Sequence, residues 1–222
     1  MKTIKYLLLF SSILFFKSCK EAEAIPYYGI DFLFKEAQPI NDREINHLPN
    51  KFIGSYINQD STYLIIEDKI IYYKWITKNN MSYPDFNSLK DSLNIIDNKI
   101  YHEKDIVEFR SLKDSIELTS FSYDTIFSLS EINKAKRIKG MIVLNIKDAN
   151  YWSLKVLSLD KKVLSITYLV SDEDKIRLDS LSKIKVETID STKYVFELSN
   201  QEFKKMLDLK KFGYKQEYKK IK

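Results

Sequence analysis

Two stretches of the chain, "GSYINQDSTYLIIEDKIIYYKW" (54–75) and "GMIVLNIKDANYWSLKVLSLDKKVLSITYL" (140–169), are built on one plan. A glycine opens a run rich in Ile, Val and Tyr, a turn containing Asp60 or Asp148 follows, and Tyr63 or Tyr151 then leads a second run into a third. Short runs of β-branched and aromatic residues between Asp, Asn, Ser and Lys turns are the pattern of antiparallel strands. Correspondence continues past the third run, where Ser82 and Asp85 match Ser171 and Asp174, and "DSL" at 91–93 matches "DSL" at 179–181. From Gly54/Gly140 onward the offsets are 86, 88, 88, 89, 89 and 88. Six matches in near-constant register predict an internal duplication of a β-β-β-α-β unit.

The serines locate the helices. Each can accept a hydrogen bond from an amide in a first helical turn, and the acidic residue three places on suits the positive end of the helix dipole. Phe86, Leu89 and Leu93 then share one stripe. A further helix is marked by Ser199 and Glu202 as a capping box, by Phe203, Met206 and Leu207 as a core-facing stripe, and by Gly213 as its stop. "IIYYKWI" (70–76) is apolar on both alternating faces and predicts a central strand. "DIVEFRSL", "DSIELTSF" and "DTIFSL" (105–129) predict three strands with Asp-led turns, and "EINKAKR" (131–137) a connecting helix or linker. The expected fold is thus α+β and β-rich, a mostly antiparallel sheet with short helices.

The N-terminus, "MKTIKYLLLFSSILFFKSC" (1–19), has two lysines ahead of an apolar run of 11 residues from Tyr6 to Phe16, and the only cysteine of the chain three residues beyond that run. The run is an export signal by layout and falls short of the roughly 20 residues that a spanning helix needs. Cleavage before Cys19 competes with cleavage after Ala22-Glu23-Ala24, which ends eight residues past the run, behind Lys17, Lys20 and Glu21. Position favours the first, which makes Cys19 the lipidated first residue of the mature protein. Two or three acyl chains, at about 0.8 kcal/mol per buried methylene, then hold it on a membrane. These readings give a signal peptide (1–18), a lipidated N-terminus and tether (19–50) that becomes an edge segment at "IDFLF" (30–34), a first β-rich unit (51–130), a second with the C-terminal helix (138–213), and a basic tail (214–222).

Ser18-Cys19 resembles a bacterial lipobox, and Lys20, Glu21 and Glu23 resemble the surface-export signal of Bacteroidota lipoproteins. "AQPIN" (37–41) followed by "LPNKFIGSY" (48–56) resembles the opening of uncharacterised lipoproteins of that group. The resemblance implies an outer-membrane lipoprotein, facing the periplasm or the cell surface, and implies no activity. "FIGSY" also resembles a weakened Gly-x-Trp opening of the lipocalin superfamily, with Tyr56 in the place of Trp, which implies a β-barrel carrier as the alternative fold.

Composition narrows the chemistry. Removing Lys2, Lys5 and Lys17 with the signal takes the formal charge from +5 to +2, spread evenly, which is a solvated surface and not a nucleic-acid footprint. The four glycines, at 29, 54, 140 and 213, are too scattered for a phosphate-cradling loop. His102, Glu103 and Asp105 match no zinc spacing, and strand alternation sends Glu103 to the opposite face; His47 stands alone beside Pro49. "SDEDK" (171–175) lacks the spacing and glycine of a calcium loop and reads as helix capping. No catalytic, metal or cofactor site is expected, and the site residue is the lipidation site, Cys19. The expected role is a lipid-anchored binding module with an unknown protein or small-molecule partner, with a small-ligand carrier or a toxin-neutralising inhibitor as alternatives.

Overall fold

The structure is a computed structural model that describes residues 29–102, 105–181, 185–209 and 211–221. Cys19 and the segment before residue 29 lie outside them. The chain is α+β and β-rich, and its described residues form two compact units, one of Lys74–Tyr123 and one of 29–73 with 124–221. Two long strands, β5 (Ile70–Ser82) and β9 (Ser115–Ser128), carry residues of both.

The larger unit is organised by β11 (Met141–Asp148) and β12 (Tyr151–Asp160), which pair antiparallel from Ile142↔Leu157 to Asp148↔Tyr151. Alternate side chains of these strands enter two different cores. Ile142, Leu144 and Leu157 join one, and Val143, Trp152, Leu154 and Val156 join the other. A strand buried on both faces reads as a continuous apolar run, which is why "MIVL" does not alternate.

The first core is closed by β13 (Val163–Tyr168), β16 (Tyr214–Lys220), β3 (Gly54–Ile57) and β4 (Tyr63–Ile66), which follow one another in the sheet before β5 and β9. Tyr56, Leu64, Ile66, Ile71, Leu164 and Tyr218 fill it and are at most 1 % exposed. The second core is covered by β1 (Asp31–Phe34), β15 (Lys193–Glu197), α2 (Asp172–Asp179) and α3 (Asn200–Leu207). Strand β1 runs parallel to β15 and meets β12 at Phe34↔Trp152, sharing with β13 the edge of β12 opposite β11. Beyond β15 lies β14 (Lys185–Thr188), and beyond β11 come β10 (Lys134–Ile138) and β2 (Glu44–Ile45). The smaller unit continues from β5 and β9 through β8 (Asp105–Ser111) and β7 (Lys99–His102) to β6 (Asn94–Ile96), with α1 (Tyr83–Lys90) on one face. The ladders are thus mostly antiparallel.

The duplicated plan is visible in the element order. The meander β3-β4-β5 leads into α1, and β11-β12-β13 leads into α2. Ser82 Oγ accepts from the Asp85 amide and Ser171 Oγ from the Asp174 amide, each at 3.2 Å. Phe86 and Leu89 are buried, and Leu93 packs against the cluster that holds Phe86. Helix α3 carries the expected capping box of Ser199 and Glu202, and its Phe203 and Met206 are fully buried, each contributing about 2–3 kcal/mol.

Several expectations are corrected. "IDFLF" is not an edge: β1 lies between β15 and β12 with Phe32, Leu33 and Phe34 buried. "EINKAKR" contains a strand, since Lys139 and Gly140, both at positive φ, form a two-residue turn that folds β10 back onto β11. Pairing there overrides the helix preference of Lys, Ala and Arg. The strands expected in "DSIELTSF" (114–121) and "DTIFSL" (124–129) are one strand of 14 residues, in which Asp124 is an exposed strand residue and not a turn. β5 is central in order, yet only Ile71 of "IIYYKWI" is fully buried. The basic end of the chain is not a tail but β16, hydrogen-bonded between β13 and β3, with Gln216 and Tyr218 buried and Lys215, Glu217 and Lys219 exposed.

Gly213 does not stop α3, which ends at Leu207 with Asp208 as its cap. At φ +73° it turns the chain into β16, and its amide donates to Asp174 Oδ1 at 2.8 Å. A Cβ there would collide with Thr167 Cγ2 and stand 2.7 Å from the Tyr168 carbonyl oxygen. Gly213→Ala is therefore expected to cost about 3 kcal/mol in urea unfolding, through backbone strain and overpacking together. Gly29→Ala, at the same φ but with nothing within 4 Å, isolates the strain and should cost about 1 kcal/mol.

Candidate functional site

The segment after β1 carries "AQPIN" and folds across β10 and β11, where side chains take the place of a backbone ladder. Fully buried Asn145 on β11 accepts from the Gln38 amide at 2.6 Å and donates to the Gln38 carbonyl at 2.8 Å. Lys136 on β10 donates from Nζ to the carbonyls of Ala37 and Pro39, both at 2.9 Å. Three successive carbonyls, 37 to 39, are thereby held by two buried side chains, and the Gln38–Pro39 bond between them is cis. Buried backbone groups need partners, so these side chains determine where the segment can lie.

Held in this way, the segment forms one wall of a cleft of about 640 Å³. Asp42, Arg43 and Glu44 line the wall, with Lys134, Lys136 and Trp152 opposite. Lys134 pairs with Glu44 at 2.7 Å, and the Trp152 ring has the Lys134 ammonium 5.7 Å and the Lys147 ammonium 4.5 Å from its centroid. From the first turn of α3, Asn200 donates to Asp42 at 3.2 Å. Burial pushes the Lys136 ammonium below its ordinary pKa; Lys134 adds to the effect, while Glu44, Asp42 and Glu36 oppose it. Both of its short contacts are to carbonyls, so the amine works as a clamp and does not face the cleft as a nucleophile. The arrangement lines the cleft with paired charges and one largely buried indole, which suits a polar ligand or an extended peptide.

A second polar cluster lies inside the first core. Gln216 Oε1 accepts from Tyr73, Tyr218 and Tyr168 at 3.0, 3.0 and 3.3 Å, and the Tyr73 and Tyr168 hydroxyls are 3.1 Å apart. Burial raises the Tyr168 pKa, with the neighbouring phenols adding to it. The raised Tyr168 phenol stays protonated, and the hydrogen-bonded cluster joins β5, β13 and β16, an assembling role.

Residues singled out in the sequence fall elsewhere. Asp174 is buried and accepts from the amides of Gly213, Val170 and Ser171 and from Arg177, which makes "SDEDK" a capping device. His47 is exposed. His102 pairs across a hairpin with Asp105, and Glu103 lies outside the described residues. Among the described residues no three His, Cys, Asp or Glu side chains form a group that could hold a metal ion, and no helix is long and apolar enough to cross a membrane. Asn145 and Lys136 were not foreseen. The signal for Asn145 was there, an amide inside the apolar run "MIVLNI"; that for Lys136 was hidden by the helix-like composition of its segment.

Asn145→Ala would leave the Gln38 amide and carbonyl unpaired and is expected to lower stability by about 2–4 kcal/mol in urea unfolding. Lys136 makes a separate prediction with a defined sign. Its folded pKa lies below its ordinary 10.5, so the unfolded chain binds more protons in between, and stability rises as pH climbs through that window. The stability difference between the parent and Lys136→Met, which cancels the other titrations, should shift in favour of the parent from pH 8 to about pH 10.5. A flat difference would mean that the ammonium is not desolvated. No protein-family model matches the chain, and no curated protein or solved structure matches it either.

Proposed function

We propose that the chain is an exported lipoprotein, anchored in the outer membrane through Cys19, that acts as a non-enzymatic binding module at the cell envelope. The cleft beside Trp152 is its recognition site. The observation that carries this reading is the cleft's construction: its wall is held by Asn145 and Lys136, and Lys134 already pairs with Glu44. Groups arranged to hold a surface in place suit the recognition of a partner. The anchor rests on the apolar run and Ser18-Cys19. Strand β1 begins twelve residues after the cysteine, so its first residue, Asp31, stays within about 40 Å of the acyl chains.

A small-ligand carrier is the weaker reading, because bulky side chains fill the first core where such a carrier would keep an apolar cavity.

Two measurements test the two halves. With a fatty-acid probe, the parent should label and sediment with membranes, and Cys19→Ala should lose both; unchanged labelling would rule out the anchor. A photo-crosslinking residue at Asn41, on the cleft rim, should capture a partner in the native membrane that the same residue at Lys161 does not. Equal capture at both positions, or none at Asn41, would remove the cleft as the recognition site.

A further inference from the structure

Charge in the larger unit is sorted along its strands. Its described residues hold 22 Lys and Arg against 21 Asp and Glu, yet lysines gather at the end where β12 finishes. Lys161 and Lys162 make the turn from β12 into β13, and the Lys162 carbonyl accepts from the Lys220 amide at 2.9 Å, which lays the end of β16 beside that turn. Lys220 Nζ donates to the Ile53 carbonyl and Lys51 Nζ to the Gly140 carbonyl, both at 2.9 Å. These two bonds bring the entry into β3 and the β10–β11 turn, with Lys139, to the same end. Lys51, Lys139, Lys161, Lys162, Lys219 and Lys220 thus meet two carboxylates, Asp160 and the Asp208 that pairs with Lys139. One step further out, Arg137 and Lys69 join with Glu67, Asp68 and Glu217, which still leaves eight cations against five carboxylates. The excess here is larger than that of the whole unit. Lys161, Lys162 and Lys219 are exposed and pair with no carboxylate among the described residues, and Ile221 stands beside them 36 % exposed.

Two further observations give this end a direction. Strand β1 runs antiparallel to β12, so its first residue, Asp31, is its end nearer the side on which β12 finishes. The chain coming from Cys19 therefore joins the folded body from the side of the lysines. The cleft lies toward the other end of the same strand, because Trp152 precedes Asp160 by eight residues, about 26 Å of extended chain.

We infer that the lysine end is the membrane-facing surface of the protein, docking on the anionic phospholipid headgroups of the bilayer that holds the acyl chains and turning the cleft away from it. The inference rests on the lipoprotein reading. An ammonium has three donors, so Lys51 and Lys220 keep two each for phosphate oxygens after their carbonyl bonds, and those bonds fix them in the surface. Each lysine near an anionic leaflet favours the bound state about fivefold, and the effect fades within a Debye length of about 8 Å. A surface this weak suffices once the acyl chains keep the body close, because docking is then an intramolecular step. Ile221, apolar among long lysine stems, suits the boundary between headgroups and acyl chains.

The test uses the lipidated full chain in vesicles of phosphatidylcholine, with or without about 30 % phosphatidylglycerol, and a trace of lipid spin-labelled on its headgroup. A fluorophore on Ile221→Cys should be quenched at least about threefold more in the anionic vesicles than in the neutral ones, and should lose that quenching in about 0.5 M salt. The same fluorophore on Asn41→Cys, at the cleft, should stay unquenched in both. Adding Lys161→Glu, Lys162→Glu and Lys219→Glu should abolish the quenching at 221 while the chain still sediments with the vesicles. These side chains are exposed and unpaired, and unaltered far-ultraviolet circular dichroism checks that the variant folds. Equal quenching at 221 and 41, equal quenching in neutral and anionic vesicles, or quenching that survives the triple variant overturns the inference. So does a chain that binds a soluble polyanion such as heparin while 221 stays unquenched on the vesicle. Failure of the anchor reads differently: the chain would not sediment with neutral vesicles. Retention by anionic vesicles that the triple variant loses would then still support the lysine surface, and no retention would overturn it.

Discussion

A strand with apolar side chains on both faces has to be covered twice, and β11 and β12 impose that requirement on the larger unit. Their alternate side chains feed two separate cores. One side can be covered by strands, which here come from the second half of a meander and from both termini of the unit: β3, β4 and β16. The other side takes β1, β15 and the two short helices. The helices are too short to be stable in isolation, and they hold because Leu178, Phe203 and Met206 are inserted into that core. The polar ties at their ends, Asp174 to Gly213 and Ser199 to Glu202, fix where they start and do not supply the packing.

The cleft follows from the same requirement. With β1 docked beside β12, the chain leaving Phe34 has to cross β10 and β11 on its way to β2 and β3. Nothing in that crossing can form a ladder, so buried Asn145 and Lys136 supply the missing partners. Burying an ammonium is costly unless its hydrogens are used, and two carbonyls at 2.9 Å use them. The wall of the cleft is thus a by-product of covering a two-faced strand.

The smaller unit solves only half of the equivalent problem. Helix α1 covers one face of its strands, and the opposite face keeps isoleucines and tyrosines in solvent. Surface ion pairs add little stability, generally below about 1 kcal/mol each, so the three on this face contribute little to holding the sheet.

The strands from 54 to 75 and 141 to 168, the caps at Ser82, Ser171 and Ser199, and the duplicated order were legible in the sequence because they rest on local signals: period-two patterning, turn residues and capping side chains. So was the reading of "SDEDK" as a cap. What tertiary structure alone decided depends on partners distant in the chain. Strand β10 exists because a two-residue turn returns it to β11, β16 because two strands about 50 and 160 residues away leave a gap that its tyrosines fill, and β1 because β15 and β12 flank it. The cleft belongs to this second class, since Gln38 and Asn145 are 107 residues apart and nothing local joins them. Local chemistry determined which segments were strands and where helices begin; long-range pairing decided which of them are inside, and so where a partner could bind.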